Sequence, residues 1–556
     1  MRRITRPTTY KAAAIAVLVT ASLIASAQVH GEEVDMEVPA VLKTYTHRSV
    51  AEGVDLYEKV VARKDGDPGS GLDIKVAIVE PGFKGALKAS YGSTVAKAEK
   101  VTETAKAENA LLAINTSFFV YHNTAGFEGV PVGIAAYDGE LQSAARDGQP
   151  VAIIGAGGPL GVEFKRLRTE ITVASDEGSS RATAGRTPAL RAIDGINRYP
   201  GISRNCEGVE HPTQTSVNIV CDRSDDLVVL TDKLKASPED FQHRGKLSGK
   251  EMVEVLLDSS SKVVTLSKVV TLTKTPTWDV PAGSTRLVGV GAGAAWLTSH
   301  AKPGSRLKID TKIIDMDCHP HEGGAPACEP EVKLGKGMGM VSGAPMLVRD
   351  GKVDIDYSSS AKMKKDWETA RHPRTFLGVD KDKRVLLATV TGDRESSRNG
   401  YGLQEAAELM RDLGAVNAIN FDGGGSTAMA LEGKMITKPY LGIERPVGDV
   451  LLLTEETESG STSTAPVPSA PSSPGVTGGL AVAVPEPDGS SQDSATCSAP
   501  AWDAQGIYIG GQAVSHNGST WRAKWWTRGD EPGATVDRWG NRNDPEWGVW
   551  QRTGSC

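Results

Sequence analysis

Long apolar runs are almost absent from this chain, aromatics make up only 5% of its 556 residues, and the net charge is -7. Each scarcity excludes something. A membrane-spanning helix needs roughly 20 consecutive apolar residues. The run Ala12–Ile24 falls short of that and nothing later approaches it, so the mature chain reads as soluble. The negative balance argues against a nucleic-acid or anionic-membrane partner. Cysteine is sparse too, but the six present form three local couples: Cys206 with Cys221, Cys318 with Cys328, and Cys497 with Cys556. In an exported protein such neighbours tend to pair, and three short-range disulfides are the expectation.

Export is what the N-terminus suggests. Arg2, Arg3, Arg6 and Lys11 precede the apolar run, and Ala25-Ser26-Ala27 supplies a small-residue cleavage pattern. Residues 1–27 therefore read as a signal peptide, and the mature chain as secreted and extracellular. The length calls for more than one folded unit. Residues 28–108 and 109–456 carry apolar strands and a few helices, with candidate strands at Ile74–Val79, Leu111–Ile114, Ala152–Ile154, Leu227–Leu230, Val385–Val390 and Val450–Leu453. The expected class is α+β, with mixed twisted sheets. Lys262–Leu272 repeats Lys-Val-Val-Thr-Leu, which a β-hairpin or a duplication explains. Residues 457–495 turn to Ser, Thr, Pro and Gly, a composition that forms an extended linker rather than a core.

The most informative stretch is Asn417-Ala-Ile-Asn-Phe-Asp-Gly-Gly-Gly-Ser-Thr-Ala-Met429. An apolar run ends in one carboxylate, Asp422, then Gly423, Gly424 and Gly425, then the hydroxyls of Ser426 and Thr427. Upstream, Leu403, Ala406, Ala407, Met410 and Leu413 recur at helical spacing, and Gly414 sits like a C-cap. The local expectation is helix, turn, buried strand and a glycine loop bearing an acid. Such a loop suits a phosphate or sugar phosphate, because missing Cβ atoms let backbone N–H groups approach a ligand. A plain turn is the competing reading.

Residues 497–556 hold seven of the ten tryptophans, more than so small a core can hide. Flat aromatic faces stack on pyranose rings. The pattern Gly-Ile-Tyr508-Ile-Gly-Gly-Gln-Ala-Val514 followed by Asn-Gly-Ser-Thr-Trp521-Arg-Ala-Lys-Trp525-Trp526 resembles the small carbohydrate-binding modules of bacterial chitinases. The resemblance implies a small β-rich module for chitin or a related insoluble polysaccharide, with Tyr508, Trp525 and Trp526 on the binding face.

Four further stretches join the glycine loop: Leu112–Phe119 around Asn115, Val341–Leu347, Arg371-His372-Pro373-Arg374-Thr375-Phe-Leu-Gly378, and Gly392-Asp393-Arg394 leading to Gly402-Leu403-Gln-Glu405. Together with Gly133, Gly195-Ile-Asn197 and Arg445-Pro-Val they resemble the phosphodiester glycosidase family over about residues 109–455. The resemblance implies a hydrolase acting on a glycosyl phosphodiester, with N-acetylglucosamine as the sugar. The chain departs from the family where Asn115 is followed by Thr116-Ser117 in place of Gly-Gly, and where Asp393 precedes Arg394 without the usual glycine between. The insert Asp317–Glu329, with His319, His321 and Glu322, has no counterpart; a disulfide loop is favoured over a metal site.

Breaking a sugar–phosphate bond at the anomeric carbon passes through an oxocarbenium-like state that a carboxylate stabilises. Asp422 is the expected carboxylate, as nucleophile or as base for water, with Glu405 as second acid. Arg374 is expected to fork onto the phosphate, with Arg394 as a second contact. Asn115 is expected to hold the sugar, and the Gly423–Gly425 amides with Ser426 or Thr427 to act as donors. No nucleotide cofactor is expected, and a divalent ion near Asp393 or Asp422 stays open. Two other readings compete: a phosphodiesterase breaking the P–O bond, and a non-catalytic glycan-binding surface protein.

Overall fold

The computed structural model describes residues 38–62, 64, 71–120, 127–146, 148–175, 189–204, 220–222, 225–236, 252–269, 280–318, 328–355, 370–392, 399–439, 442–456, 499–503, 507–508, 512–523, 527–528, 531–533 and 550–555. It divides into two compact units, Met1–Gly460 and Ser461–Cys556. The expected signal peptide at 1–27 and the expected linker at 457–495 lie outside the described residues.

An eight-stranded sheet organises the large unit. Its order is Thr46–Ala51, Val54–Val61, Leu72–Val79, Val385–Gly392, Arg374–Asp380, Ala415–Asn420, Met346–Arg349 and Lys352–Val353, antiparallel throughout. Leu72–Val79 is buried along its whole length because both faces of the sheet are covered. Alternation assigns its side chains: Leu72, Ile74, Val76 and Ile78 enter one core, Ala77 and Val79 the other. Polar members of the second set are paired inside, Lys75 Nζ reaching Asp73 Oδ1 at 2.7 Å and Glu58 Oε1 at 3.0 Å.

On the first face lies the helix Leu403–Asp412, whose Leu403, Ala406, Ala407 and Met410 fill that core. Each buried Leu or Met stabilises the layer by about 1.5–3 kcal/mol. A Cβ on Gly378 would stand 2.7 Å from Met410 Cε, so the glycine lets the helix settle onto the sheet. Gly414 ends the helix at φ +90, as its C-cap position requires. The second face packs on a five-stranded antiparallel sheet ordered Lys434–Met435, Met429–Leu431, Leu112–Asn115, Val450–Glu455 and Gly85–Ser90. A seven-stranded sheet, a second five-stranded sheet and the pair Ile202–Arg204 with Val220–Asp222 also belong to the unit; the five-stranded sheet contributes a parallel pair, Gly195–Ile196 with Asp226–Thr231.

The fold is thus mostly β, and the α+β expectation overstates the helix. Among the described residues the α-helices are Val101–Ala107, Ala292–His300 and Leu403–Asp412. Helical periodicity was strong only in the last. The six candidate strands all form, several extended by one or two residues. The Lys262–Leu272 repeat does not turn at its junction; strand Val263–Val269 runs through it, paired with Met252–Leu257. Cys318 and Cys328 form the expected disulfide, their Cα atoms 5.7 Å apart. The Cys221 side chain and all of Cys206, Cys497, Cys556, His319, His321 and Glu322 lie outside the described residues.

In the small unit, Ala513–His516, Ser519–Ala523 and Trp550–Ser555 form an antiparallel sheet over Val514, Ala523 and Trp550. Tyr508 packs edge-on to Trp550 at 5.2 Å, and its hydroxyl accepts the Asp503 amide at 2.6 Å, so it partly serves the core rather than only a binding face. Trp525 and Trp526 lie outside the described residues.

Candidate active site

Strand Ala415–Asn420 delivers Asp422 two residues past its end, where the chain leaves the sheet. Each following glycine answers a different constraint. A Cβ on Gly423 would stand 2.5 Å from the Pro373 carbonyl, Gly424 sits at φ +60, and a Cβ on Gly425 would meet the Arg445 guanidinium at 2.4 Å. The loop is pinned by backbone bonds on three sides. Phe421 N–H donates to Thr375 O at 2.9 Å, Asp422 N–H to Thr116 O at 2.9 Å, and Gly424 N–H to Pro373 O at 2.8 Å.

Asp422 is half-buried, and Gly423 N–H donates to its Oδ1 at 2.9 Å. Burial pushes its carboxyl up to about 6; Ser426, the Arg445 charge and the Gly423 amide pull the other way, and the Asp449 charge adds to the rise. The Ser426 hydroxyl stands near enough to favour the carboxylate, yet it is buried and makes no hydrogen bond of ordinary geometry; Thr427 Oγ1 is likewise unpartnered. Two buried hydroxyls without partners beside a perturbed acid mark a place where a polar ligand would be welcome.

Arg445 is the cation at this acid. It is half-buried, and its loop is held by Glu444, whose carboxylate accepts Thr102 N–H at 2.9 Å and Thr102 Oγ1 at 2.6 Å. Glu99 and Val447 fasten the other side through reciprocal backbone bonds of 3.0 and 2.8 Å. Arg445-Pro-Val is part of the family resemblance, which by itself implies no role for the arginine.

Other expected residues take different places. Arg374 is 1% exposed, its Nε donating to Tyr401 O at 2.7 Å and Nη2 to Ala370 O at 3.2 Å. It is spent on backbone carbonyls in the interior, so the expected convergence of Asp422 with Arg374 gives way to Asp422 with Arg445. Alternation along Arg374–Asp380 puts that first residue on the same face as Phe376, the one covered by helix Leu403–Asp412. Glu405 Oε2 caps its helix by accepting Gly402 N–H at 2.9 Å, and Oε1 is ion-paired with Arg371, so it stands as a structural acid. Asn115 is 1% exposed and bonded on every side: Nδ2 donates to Asp422 O at 2.8 Å, while Oδ1 accepts Thr375 Oγ1 at 2.6 Å and Ala428 N–H at 3.0 Å. It holds the glycine loop from below. The Gly423 and Gly424 amides are used within the protein and are not free donors. Asp393 and Arg394 lie outside the described residues. Among the described residues no group of three or more His, Cys, Asp or Glu side chains is placed to hold a metal ion.

With that arrangement established, the class can be stated. Residues 293–454 match the phosphodiester glycosidase family, and residues 501–551 match carbohydrate-binding module family 5/12. Over 108 residues the chain is 32% identical to N-acetylglucosamine-1-phosphodiester alpha-N-acetylglucosaminidase of Mus musculus, covering 18% of this chain and 20% of that protein. Over 40 residues it is 52% identical to Chitinase A of Pseudoalteromonas piscicida, covering 7% of this chain and 5% of that one. The chain therefore matches about a fifth of the length of the first relative and far less of the second. A crystal structure of a protein from Burkholderia pseudomallei K96243 superposes with a TM-score of 0.54 at 26% identity, over 69% of this chain and 74% of that one. Strand Leu112–Asn115 lies outside the family match, yet it pairs with the strand that begins at Val450 inside it.

Proposed function

We propose that the chain is an exported hydrolase that removes N-acetylglucosamine from a glycosyl 1-phosphodiester by attack at the anomeric carbon, held on chitin or a related polysaccharide by its C-terminal module. One observation carries this reading: a half-buried carboxyl at 422, pushed up to about 6, with the Arg445 charge acting on it across a loop of three glycines. The family match and the relatives named above support the substrate class. The module match and its chitinase relative support the polysaccharide. Among the described residues no helix is long and apolar enough to cross a membrane.

In this reading the Asp422 carboxylate takes a proton from a water molecule whose oxygen bonds to the anomeric carbon. The bond from that carbon to the phosphate oxygen breaks, and its electron pair leaves with the phosphate. Arg445 faces the charge that the leaving group carries. A phosphate monoester leaves without a strong acid, which fits a site where Glu405 is committed to Arg371 and to a helix cap. Ser426 and Thr427 hydroxyls take sugar or phosphate oxygens. Turnover in oxygen-18 water tests it: label on the released sugar is expected. Label in the phosphate would replace the glycosidase by a phosphodiesterase, and no turnover of any glycosyl phosphodiester would leave the glycan-binding surface protein.

A further inference from the structure

Asp449 is the second carboxyl of this region, and the reaction proposed above does not use it. It is 2% exposed. Oδ1 accepts Thr116 Oγ1 at 2.8 Å and Ser117 N–H at 2.7 Å, while Oδ2 accepts Ser117 Oγ at 2.7 Å and Tyr137 OH at 3.0 Å. An ionised carboxylate has about four lone-pair positions, and here four donors point at them. Burial raises its pKa, and these same bonds oppose the rise. The four donors favour the ionised form, and burial still leaves the carboxyl above its ordinary value.

Asp449 is also wired to Asp422. Thr116 N–H donates to Asp449 O at 3.2 Å, and Thr116 O accepts Asp422 N–H at 2.9 Å, so one residue hangs between the two acids. Ser117 Oγ accepts Ser342 N–H at 3.1 Å, which ties this turn to strand Gly339–Ser342 as well. The hydroxyls of Thr116 and Ser117 occupy the place where the family resemblance leads one to expect Gly-Gly. Two of the four donors to Asp449 would be missing with glycines there. The other charged or titratable groups around the pair are Arg445, which opposes the rise at Asp422, and Tyr137, which stands edge-on to Tyr91 at 4.9 Å.

We propose that Asp449 is a positioning residue for Asp422: it fastens the Thr116–Ser117 turn from which the Asp422 backbone hangs, and it places a second acid beside that carboxyl. The proposal rests on Asp422 acting as the base in the reaction above. Carboxyl carbon-13 NMR on the full chain tests it without any need for turnover. In the wild type, Asp422 should titrate near 6, and Asp449 should titrate separately from it. In Asp449→Asn the Asp422 midpoint should fall by about half a pH unit or more, because a like charge has gone. Ser117→Ala keeps the charge at 449 and should leave the midpoint in place. An unmoved midpoint in Asp449→Asn overturns the proposal, as does a wild type in which Asp449 takes up the proton near pH 6; the latter needs no variant to fold. On a glycosyl phosphodiester, Asp449→Asn should lower kcat roughly threefold or more with KM held, since a weaker base transfers the proton less well. A chain that shows the NMR shift but hydrolyses no phosphodiester would sink the proposed function and leave the coupling of the two carboxyls standing.

Discussion

Two polar clusters lie at the edge of the central sheet, and they differ in whether their groups are satisfied. Around Arg371, Arg374 and Glu405 the polar groups find partners inside the protein: two carbonyls for Arg374, a helix cap and an arginine for Glu405. Around Asp422 the carboxyl is raised to about 6, the buried Thr427 hydroxyl has no hydrogen-bond partner, and the buried Ser426 hydroxyl has only the Asp422 carboxyl near it. Burying a polar group unpaired costs about 1–3 kcal/mol. A fold that accepts this cost in one cluster and avoids it in the other separates a binding site from its scaffold.

The largest effect should come from Asp422→Asn. Removing a positioned base lowers turnover by about 10²–10⁴-fold, read as kcat on a glycosyl phosphodiester, while the melting temperature holds or rises because a buried charge has gone. pH should reveal the same group. The folded-state value of about 6 lies above the ordinary 3.8, so between those two values the folded protein holds a proton that the unfolded chain has released. Stability should therefore fall as pH rises through that window, by no more than about 1.4 kcal/mol per pH unit from this group. The slope should shrink in Asp422→Asn. Turnover should rise over the same range as the base ionises.

Arg374→Ala should act on the other cluster and on folding. It leaves a cavity and strands the Tyr401 and Ala370 carbonyls, a loss of about 3 kcal/mol or more, read from the denaturant midpoint. Activity per folded molecule should stay within a few-fold. A variant that folds normally but loses turnover would return Arg374 to the substrate.

Much of this was legible in the sequence, and the exceptions share a cause. Helix Leu403–Asp412 and the glycine loop were readable because periodicity and consecutive glycines are local signals. Asp422 was readable because it stands at the end of an apolar run. That Arg374 is buried follows from both faces of its strand being covered, one of them by Leu403, Met410 and other residues distant in sequence. Asp449 could have been suspected only as a lone acid before the apolar run Val450–Leu453; its four donors come from residues about 300 positions upstream. Arg445 belongs to the resemblance, but the effect of its charge on Asp422 depends on a loop held by Thr102 and Glu99.

Arg445→Gln sharpens the comparison from the side of the site. It keeps the bulk over Gly425 and removes the charge. Turnover should fall about 10²-fold, with unfolding changed by about 1 kcal/mol, the range of a partly exposed charge. The Asp422 titration should move upward, because the opposing cation has gone. A variant with full activity would leave the leaving phosphate without the partner proposed for it.

Glu405→Gln should have the smallest effect, and it is the change that most directly separates the two clusters. Its carboxylate pairs with Arg371 and caps the Leu403–Asp412 helix, both at a partly exposed helix start. A glutamine amide oxygen can still accept the Gly402 N–H, so only the charge terms are lost: the ion pair and the favourable end of the helix dipole. Together these amount to about 1 kcal/mol of stability. If Glu405 were the second acid of a two-carboxylate glycosidase, the same substitution would remove the proton donor and cut kcat by orders of magnitude on substrates with a poor leaving group. Comparing an aryl-activated glycosyl phosphodiester with an alkyl one in wild type and Glu405→Gln decides between them. Equal ratios keep one working carboxyl at 422, and a loss confined to the alkyl substrate would move Glu405 from the scaffold into the reaction.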